Sequence, residues 1–224
     1  MTLLRVEHSA AELGIVAAAA ALLVGIRPTS GSTPELDASI DRLMEKISHG
    51  ETVMTTSGEG FRQLFARMGY PDQVPAGERL VTLLQKRGFK RIDPLIDSYN
   101  IVAAEFCAGI GMHDAAALAD DVTVTRANGD EMIVPIFKTA SARIVADDLI
   151  YKTGNRVMAW LGKRDVDSDE FKVVTGVTTS VLLVVLGNAL TTEAENVGII
   201  DRIAKLIRSF SPDLSMTMLP VVRK

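Results

Sequence analysis

The 224-residue chain has one cysteine, three histidines, one tryptophan, and aromatic residues at only 5% of positions. The lone Cys107 excludes an intramolecular disulfide framework and a thiolate-rich zinc site. It fits a reducing compartment, so a cytoplasmic location is expected. His8, His49 and His113 lie far apart in sequence and make no recognisable ligand set. No charge of one sign dominates: 24 basic against 28 acidic residues leave a net −4. That balance disfavours a wholesale polyanion binder while allowing a local basic patch. Residues 13–26 (LGIVAAAAALLVGI) form an apolar run between Glu12 and Arg27-Pro28, shorter than the about 20 residues of a membrane span. Glu7, His8 and Glu12 do not make the basic leader of a signal peptide. The run reads as a buried core element with no membrane role. Residues 18–22 favour helix there, and a fully buried strand is equally apolar. Gly-rich phosphate loop, GxSxG elbow and HExxH motif are all missing. Asp165, Asp167, Asp169 and Glu170 lack the central glycine and terminal glutamate of a calcium loop and read as a solvated acidic loop. No metal or cofactor is expected.

What is present describes a globular chain: 47% apolar and 23% charged residues, with mean hydropathy +0.21. Thr33-Pro34 opens a helix that Gly50 closes. A Thr/Ser/Gly-rich loop at residues 55–60 separates it from a second helix bearing Phe61, Leu64, Phe65 and Met68. A third helix runs from about Gly77 to Arg87, ending at Gly88, and a fourth opens at Asp93-Pro94. Past His113 the pattern turns to period two. Residues 122–125 (VTVT), an Asn128-Gly129 turn and residues 132–137 predict a hairpin, with Pro135 at an edge or bulge. Residues 142–146, 156–161 and 181–186 predict further strands, the last the most buried. Thr192 and Glu195 form a capping box before a helix with Ile200, Ile203, Ala204 and Ile207 on one face. Residues 214–222 predict a closing strand. The fold class is α+β, a helical N-terminal half packed on a mixed, largely antiparallel, β-rich C-terminal half. Residues 1–224 read as a single domain: residues 1–56 carry the apolar element and first helix, and residues 188–224 the closing helix and strand.

Between them, residues 57–187 carry a more specific signal. FRQLFARMGY from Phe61 and LVTLLQKRGF from Leu80 lead to IDPLIDSYNIVAAEF from Ile92, GMHDAAAL from Gly111, and then the strands. This order resembles free-standing B3/4 proteins, which are similar to the B3/4 editing domain in the β subunit of bacterial phenylalanyl-tRNA synthetase. The resemblance implies a B3/4-like layered fold and a trans-editing aminoacyl-tRNA deacylase that hydrolyses the ester of mischarged tRNA. A non-catalytic tRNA- or protein-binding module on the same scaffold is the alternative. Aminoacylated tRNA is the implied partner, with an aminoacyl-tRNA synthetase as a second candidate.

The resemblance also assigns residues. The family helix reads approximately Val-Asp-x-Thr-Asn, which Asp97 and Asn100 match, with Tyr99 in place of the threonine. His113 lies near the family's pocket histidine, Trp160 to Lys163 correspond loosely to its Gly-Gly segment, and Thr178 matches a threonine before the buried strand. The family's pocket glutamate is replaced by an apolar residue near Val184. Asn100, His113 and Asp114 are thus the catalytic candidates: the amide for substrate amine or carbonyl, the imidazole for water or terminal adenosine, the carboxylate to orient the imidazole. Asp97, Tyr99, Gly111, Trp160, Gly162 and Thr178 are candidates for substrate binding. Lys86, Arg87, Lys90, Arg91, Lys163 and Arg164 make the candidate tRNA-binding patch. Each has a plainer reading. Asn100 suits a backbone bond within its helix, Asp114 an N-cap, Trp160 a core position, and the basic residues a solvated face.

Overall fold

The computed structural model describes residues 2–50 and 55–224. In chain order the elements are β1 (Leu4–Val6), α1 (His8–Glu12), β2 (Ala19–Val24), α2 (Pro34–Ser48), α3 (Thr56–Arg67), α4 (Ala76–Arg87) and α5 (Pro94–Phe106). The strands β3 (Ile110–Asp114), β4 (Val122–Arg126), β5 (Met132–Ile133), β6 (Ala142–Arg143), β7 (Leu149–Thr153), β8 (Arg156–Leu161), β9 (Asp165–Asp167) and β10 (Ser180–Val185) follow. Last come α6 (Glu193–Arg208), β11 (Ser215–Met218) and β12 (Val221–Arg223).

Helix starts follow from local chemistry. The Thr33 hydroxyl accepts the Leu36 N–H and the Asp93 carboxylate accepts the Leu95 N–H, each before a proline at the first turn. Thr192 and Glu195 make both halves of the expected capping box. One boundary differs from expectation: most of residues 55–60 is helix, because Thr55 caps Gly58 and α3 begins at Thr56. The glycines there serve contact rather than flexibility. A Cβ on Gly60 would lie 1.9 Å from Asn188 Oδ1, so only glycine lets α3 approach that side chain.

The elements stack in layers. A four-stranded sheet in the order β11-β2-β10-β3 is antiparallel throughout. The apolar run settles as strand: β2 pairs along its whole length with β10 on one side and over residues 21–24 with β11 on the other. With neighbours on both edges and packing on both faces, continuous apolarity is what a strand there requires. One face, with Ala21, Leu23, Leu183 and Val185, packs under α2, α4, α5 and α6. The other, with Ala20, Leu182 and Val184, packs on the second sheet through Leu4, Val122, Val124 and Leu149. That second sheet has the order β12-β1-β4-β7-β8-β9, antiparallel except where β1 runs parallel to β12 and β4. Its far side carries Ile150, Val157 and Trp160 against Ile133 and Ile144 of the β5–β6 region. Residues 181–186 are the most buried strand, as expected, none more than 2% exposed.

Three expectations are corrected. β4 pairs with β1 and β7, not with residues 132–137, and β5 pairs with β6 instead. The Asn128-Gly129 turn is closed by Glu131, whose carboxylate accepts both backbone N–H groups and turns the chain away from β4. Pro135 makes a single bridge to Ser168, in keeping with an edge. Residues 214–222 supply two strands rather than one, with Pro220 between them, and they join different sheets. The acidic stretch is not a solvated loop, for Asp165–Asp167 is the edge strand β9. No helix among the described residues is long and apolar enough to cross a membrane.

Candidate functional site

The end strands β3 and β9 border a cavity of about 270 Å³, walled by Ala76, Gly77 and Leu80 of α4 and by Tyr99, Asn100 and Ala103 of α5. Ile110 and Gly111 form one side, Asp165 and Asp167 the other, with Tyr151 and Leu161 behind. Each sheet ends here, so the two end strands and the start of a helix converge on one hollow.

Two phenols define its inner wall. The Tyr99 hydroxyl donates to the Ile110 carbonyl at 2.9 Å, tying α5 to β3. The Tyr151 hydroxyl lies 2.6 Å from His113 Nε2. Burial holds both phenols well above the usual tyrosine range, so both stay protonated. Gly111 makes the second contact possible, since a Cβ there would fall 1.9 Å from the Tyr151 hydroxyl. His113 is fully buried, and burial pushes its pKa down to about 3. Its Nδ1 has no partner. A buried orphan acceptor is tolerated better than a buried orphan N–H. The favoured tautomer therefore carries its proton on Nε2, donates to the Tyr151 oxygen and leaves the phenol proton for the cavity.

The opposite wall is acidic. Arg79 reaches Asp165 twice, at the carboxylate (3.2 Å) and the backbone carbonyl (3.1 Å). Burial raises the Asp165 pKa, and Arg79 and the Ala76 amide pull against that rise. Asp167 has no such counterweight. Burial, and then the charge of Asp165, push its carboxyl up to about 7. A cavity with two carboxyl groups and no basic side chain in its lining favours a cationic ligand group.

Of the sequence-derived candidates, Tyr99, Asn100 and Gly111 meet at this cavity. His113 stands behind Tyr151 and touches the cavity only through that hydroxyl. Asp114 does not orient the imidazole. Its carboxylate caps Ala116 and accepts from the Thr178 hydroxyl at 2.7 Å, which takes Asp114 and Thr178 together out of the site. Asp97 accepts the Ile92 N–H and the Arg91 guanidinium, fixing the entrance to α5. Trp160 alternates to the outer face of its sheet, where its indole N–H donates to Asp148 at 2.6 Å. Gly162 abuts the same carboxylate, 2.2 Å from where its Cβ would be, and the Lys163 N–H donates to it at 3.0 Å. Lys86, Arg87, Lys90, Lys163 and Arg164 are exposed. Arg91 is engaged with Asp37, Ser32 and Asp97, and Arg164 lies over the Trp160 ring at 5.7 Å.

Sequence reasoning missed Tyr151, Asp165 and Asp167. The Asp-Val-Asp alternation between Gly162 and Ser168 is a period-two strand signal that the cluster of charge concealed. Nothing local marks Tyr151, whose role depends on a cross-sheet approach to Gly111 and His113. No cluster of three or more His, Cys, Asp or Glu suited to a metal ion occurs among the described residues.

Comparison with known proteins supplies the relatives. The β subunit of phenylalanine–tRNA ligase from Shewanella oneidensis is 31% identical over 100 residues, covering 45% of this chain and 12% of that subunit. The crystal structure of an N-terminal fragment of the phenylalanyl-tRNA synthetase β subunit from Pyrococcus horikoshii aligns over 100% of this chain and 52% of that one. Its TM-score of 0.55 at 10% identity shows a shared fold. The chain thus spans only a small part of the first relative and about half of the second. The B3/4 domain family matches residues 61–205, well over half of the sequence and every wall of the cavity, so the chain belongs to the B3/4 domain family.

Proposed function

We propose that this protein is an aminoacyl-tRNA deacylase acting in trans, hydrolysing the ester of mischarged tRNA in the cavity between β3 and β9. The observation that carries the reading is the chemistry of that cavity on a B3/4 scaffold: a phenol donor and an amide on one side, two carboxyl groups on the other. An aminoacyl ester is already activated, so it needs an oriented water and a donor for the developing oxyanion rather than a strong nucleophile. Asp167 and Asp165 take the substrate's ammonium group. Asn100 holds a carbonyl or amine through its amide. Tyr151, kept protonated by burial and positioned by His113, donates to the oxyanion. Water attacks the ester carbon, the carbon–oxygen bond to the ribose breaks, and the ribose hydroxyl leaves with the proton the water gives up.

The test is a panel of correctly and incorrectly charged tRNAs incubated with the protein, following loss of the ester. Release from at least one mischarged member, reduced by Asn100→Ala and Tyr151→Phe, is the expected result; no release from any member would end the hydrolytic reading. The second reading, a tRNA-binding module without catalysis, is favoured by one observation: no imidazole faces the cavity, because His113 is sealed behind Tyr151. Retained tRNA binding without ester loss would select it.

A further inference from the structure

Phe137 is 81% exposed, more than any other large apolar side chain among the described residues. Its backbone is also left-handed, with φ +61°. The Lys138 N–H donates to the Pro135 carbonyl at 2.9 Å and closes a four-residue turn in which Phe137 is third. Positive φ at that position favours glycine, and a bulky side chain there is disfavoured. Surrounding contacts impose it. The Phe137 N–H donates to Asp169 Oδ1 at 2.8 Å, and Lys172 holds that carboxylate at 2.7 Å. One residue earlier, the Ile136 N–H donates to the Asp167 carbonyl at 2.8 Å, and Ile136 itself lines the cavity. A lone exposed aromatic needs no explanation. One fixed in a disfavoured conformation, a single residue beyond the cavity wall, does.

Size indicates what this ring meets. The cavity, about 270 Å³, is below the about 300–1,000 Å³ of pockets that enclose a drug-sized ligand. An aminoacyl group fits, and the nucleoside that carries it stays outside. We propose that Phe137 is a stacking platform for the 3′-terminal nucleobase of the RNA whose aminoacyl group enters the cavity. This rests on the deacylase reading for the identity of the ligand. Aromatic stacking tolerates any base, because every base presents a π-face. The turn fixes the backbone that carries the ring beforehand, so little backbone freedom is lost on binding.

The experiment measures binding of a short RNA ending in CCA, by fluorescence anisotropy, against the same RNA with an abasic 3′-terminal nucleotide. Phe137→Gly suits φ +61° and is expected to unfold at no lower temperature than the parent. Its affinity for the CCA probe should fall about 5- to 150-fold, the worth of one base–aromatic stack. Phe137→Trp should retain affinity, and the abasic probe should be indifferent to both changes. Equal CCA binding by the parent and Phe137→Gly, or no preference of the parent for the CCA probe over the abasic one, overturns the platform. Failure of the two readings is distinguishable. A Phe137-dependent CCA affinity without ester hydrolysis leaves the platform standing and removes the deacylase. Hydrolysis with a KM unmoved by Phe137→Gly does the reverse.

Discussion

The Tyr151 hydroxyl reaches His113 Nε2 at 2.6 Å across two sheets, through space that a side chain at residue 111 would fill. Tyr151 belongs to β7 of the six-stranded sheet and His113 to β3 of the four-stranded one, so the bond joins the layers at the back of the cavity.

Gly111→Ala is the sharpest probe of that junction. Its Cβ would sit 1.9 Å from the hydroxyl and 2.6 Å from the imidazole, so both must give way. Overpacking of this kind costs about 1–3 kcal/mol. Combining it with Tyr151→Phe removes the closer of the two clashes and leaves the imidazole contact. Urea unfolding of both single variants and the double should therefore show a double variant more stable than the sum of the two losses predicts. Simple additivity would mean the clash relaxes elsewhere.

His113 gives the fold a pH dependence of known sign. Burial depresses its pKa from the ordinary 6.5 to about 3, so the unfolded chain binds a proton that the folded one refuses. The stability this confers is complete above pH 6.5 and is lost as pH falls toward 3. His113→Gln keeps a group able to bond Tyr151 and cannot titrate. Urea midpoints between pH 4 and 7 should show the parent losing stability on acidification faster than the variant. Parallel curves would show that the imidazole is not sealed.

Much of the scaffold is legible because its signals are local. Thr33-Pro34, Asp93-Pro94 and the Thr192–Glu195 box each carry their own capping chemistry, and each helix begins where these residues place it. The strand at residues 181–186 is apolar throughout because both faces are covered. The site was less legible because its groups act at a distance. Asp165 and Asp167 become a cavity wall only when β9 takes the sheet edge, and Gly111 matters through a hydroxyl 40 positions away in sequence. Trp160 was misplaced for the opposite reason. In a strand buried on both faces, apolarity does not say which face a residue takes, and Trp160 faces away from the cavity.

The basic residues divide by what they already touch. Arg91 spans Asp37 and Ser32 before α2 and in it, and Asp97 in α5. Arg91→Ala leaves the buried Asp97 carboxylate without its guanidinium and should lower stability by about 1–3 kcal/mol, the usual cost of stranding a buried partner. Lys86 and Lys90 are exposed, with no ion pair among the described residues. Their reversal, Lys86→Glu with Lys90→Glu, should lower the urea midpoint only slightly, through the unfavourable charge of Lys86→Glu in the last turn of α4. If they meet phosphate, it should weaken tRNA binding and flatten its dependence on salt. Unchanged binding across a salt series would remove them from the interface.

Asp167 sets a second pH dependence, opposite in sign to that of His113. Its carboxyl pKa rises from 3.8 to about 7 on folding, through burial first and Asp165 second. The folded chain therefore keeps a proton that the unfolded chain releases. Its stability contribution is complete below pH 3.8 and is lost as pH rises through 7. The two groups partly cancel between pH 4 and 6.5, so the parent's stability curve alone conceals both. Against Asp167→Asn, the parent should lose relative stability from pH 5 to 8. The same ionisation should favour function, because only the carboxylate attracts an ammonium group. For the deacylase, kcat/KM should rise with pH up to about 7, and Asp167→Asn should abolish the rise and raise KM. An activity limb that persists in Asp167→Asn would assign the titration to another group and leave Asp167 as a wall of the cavity alone.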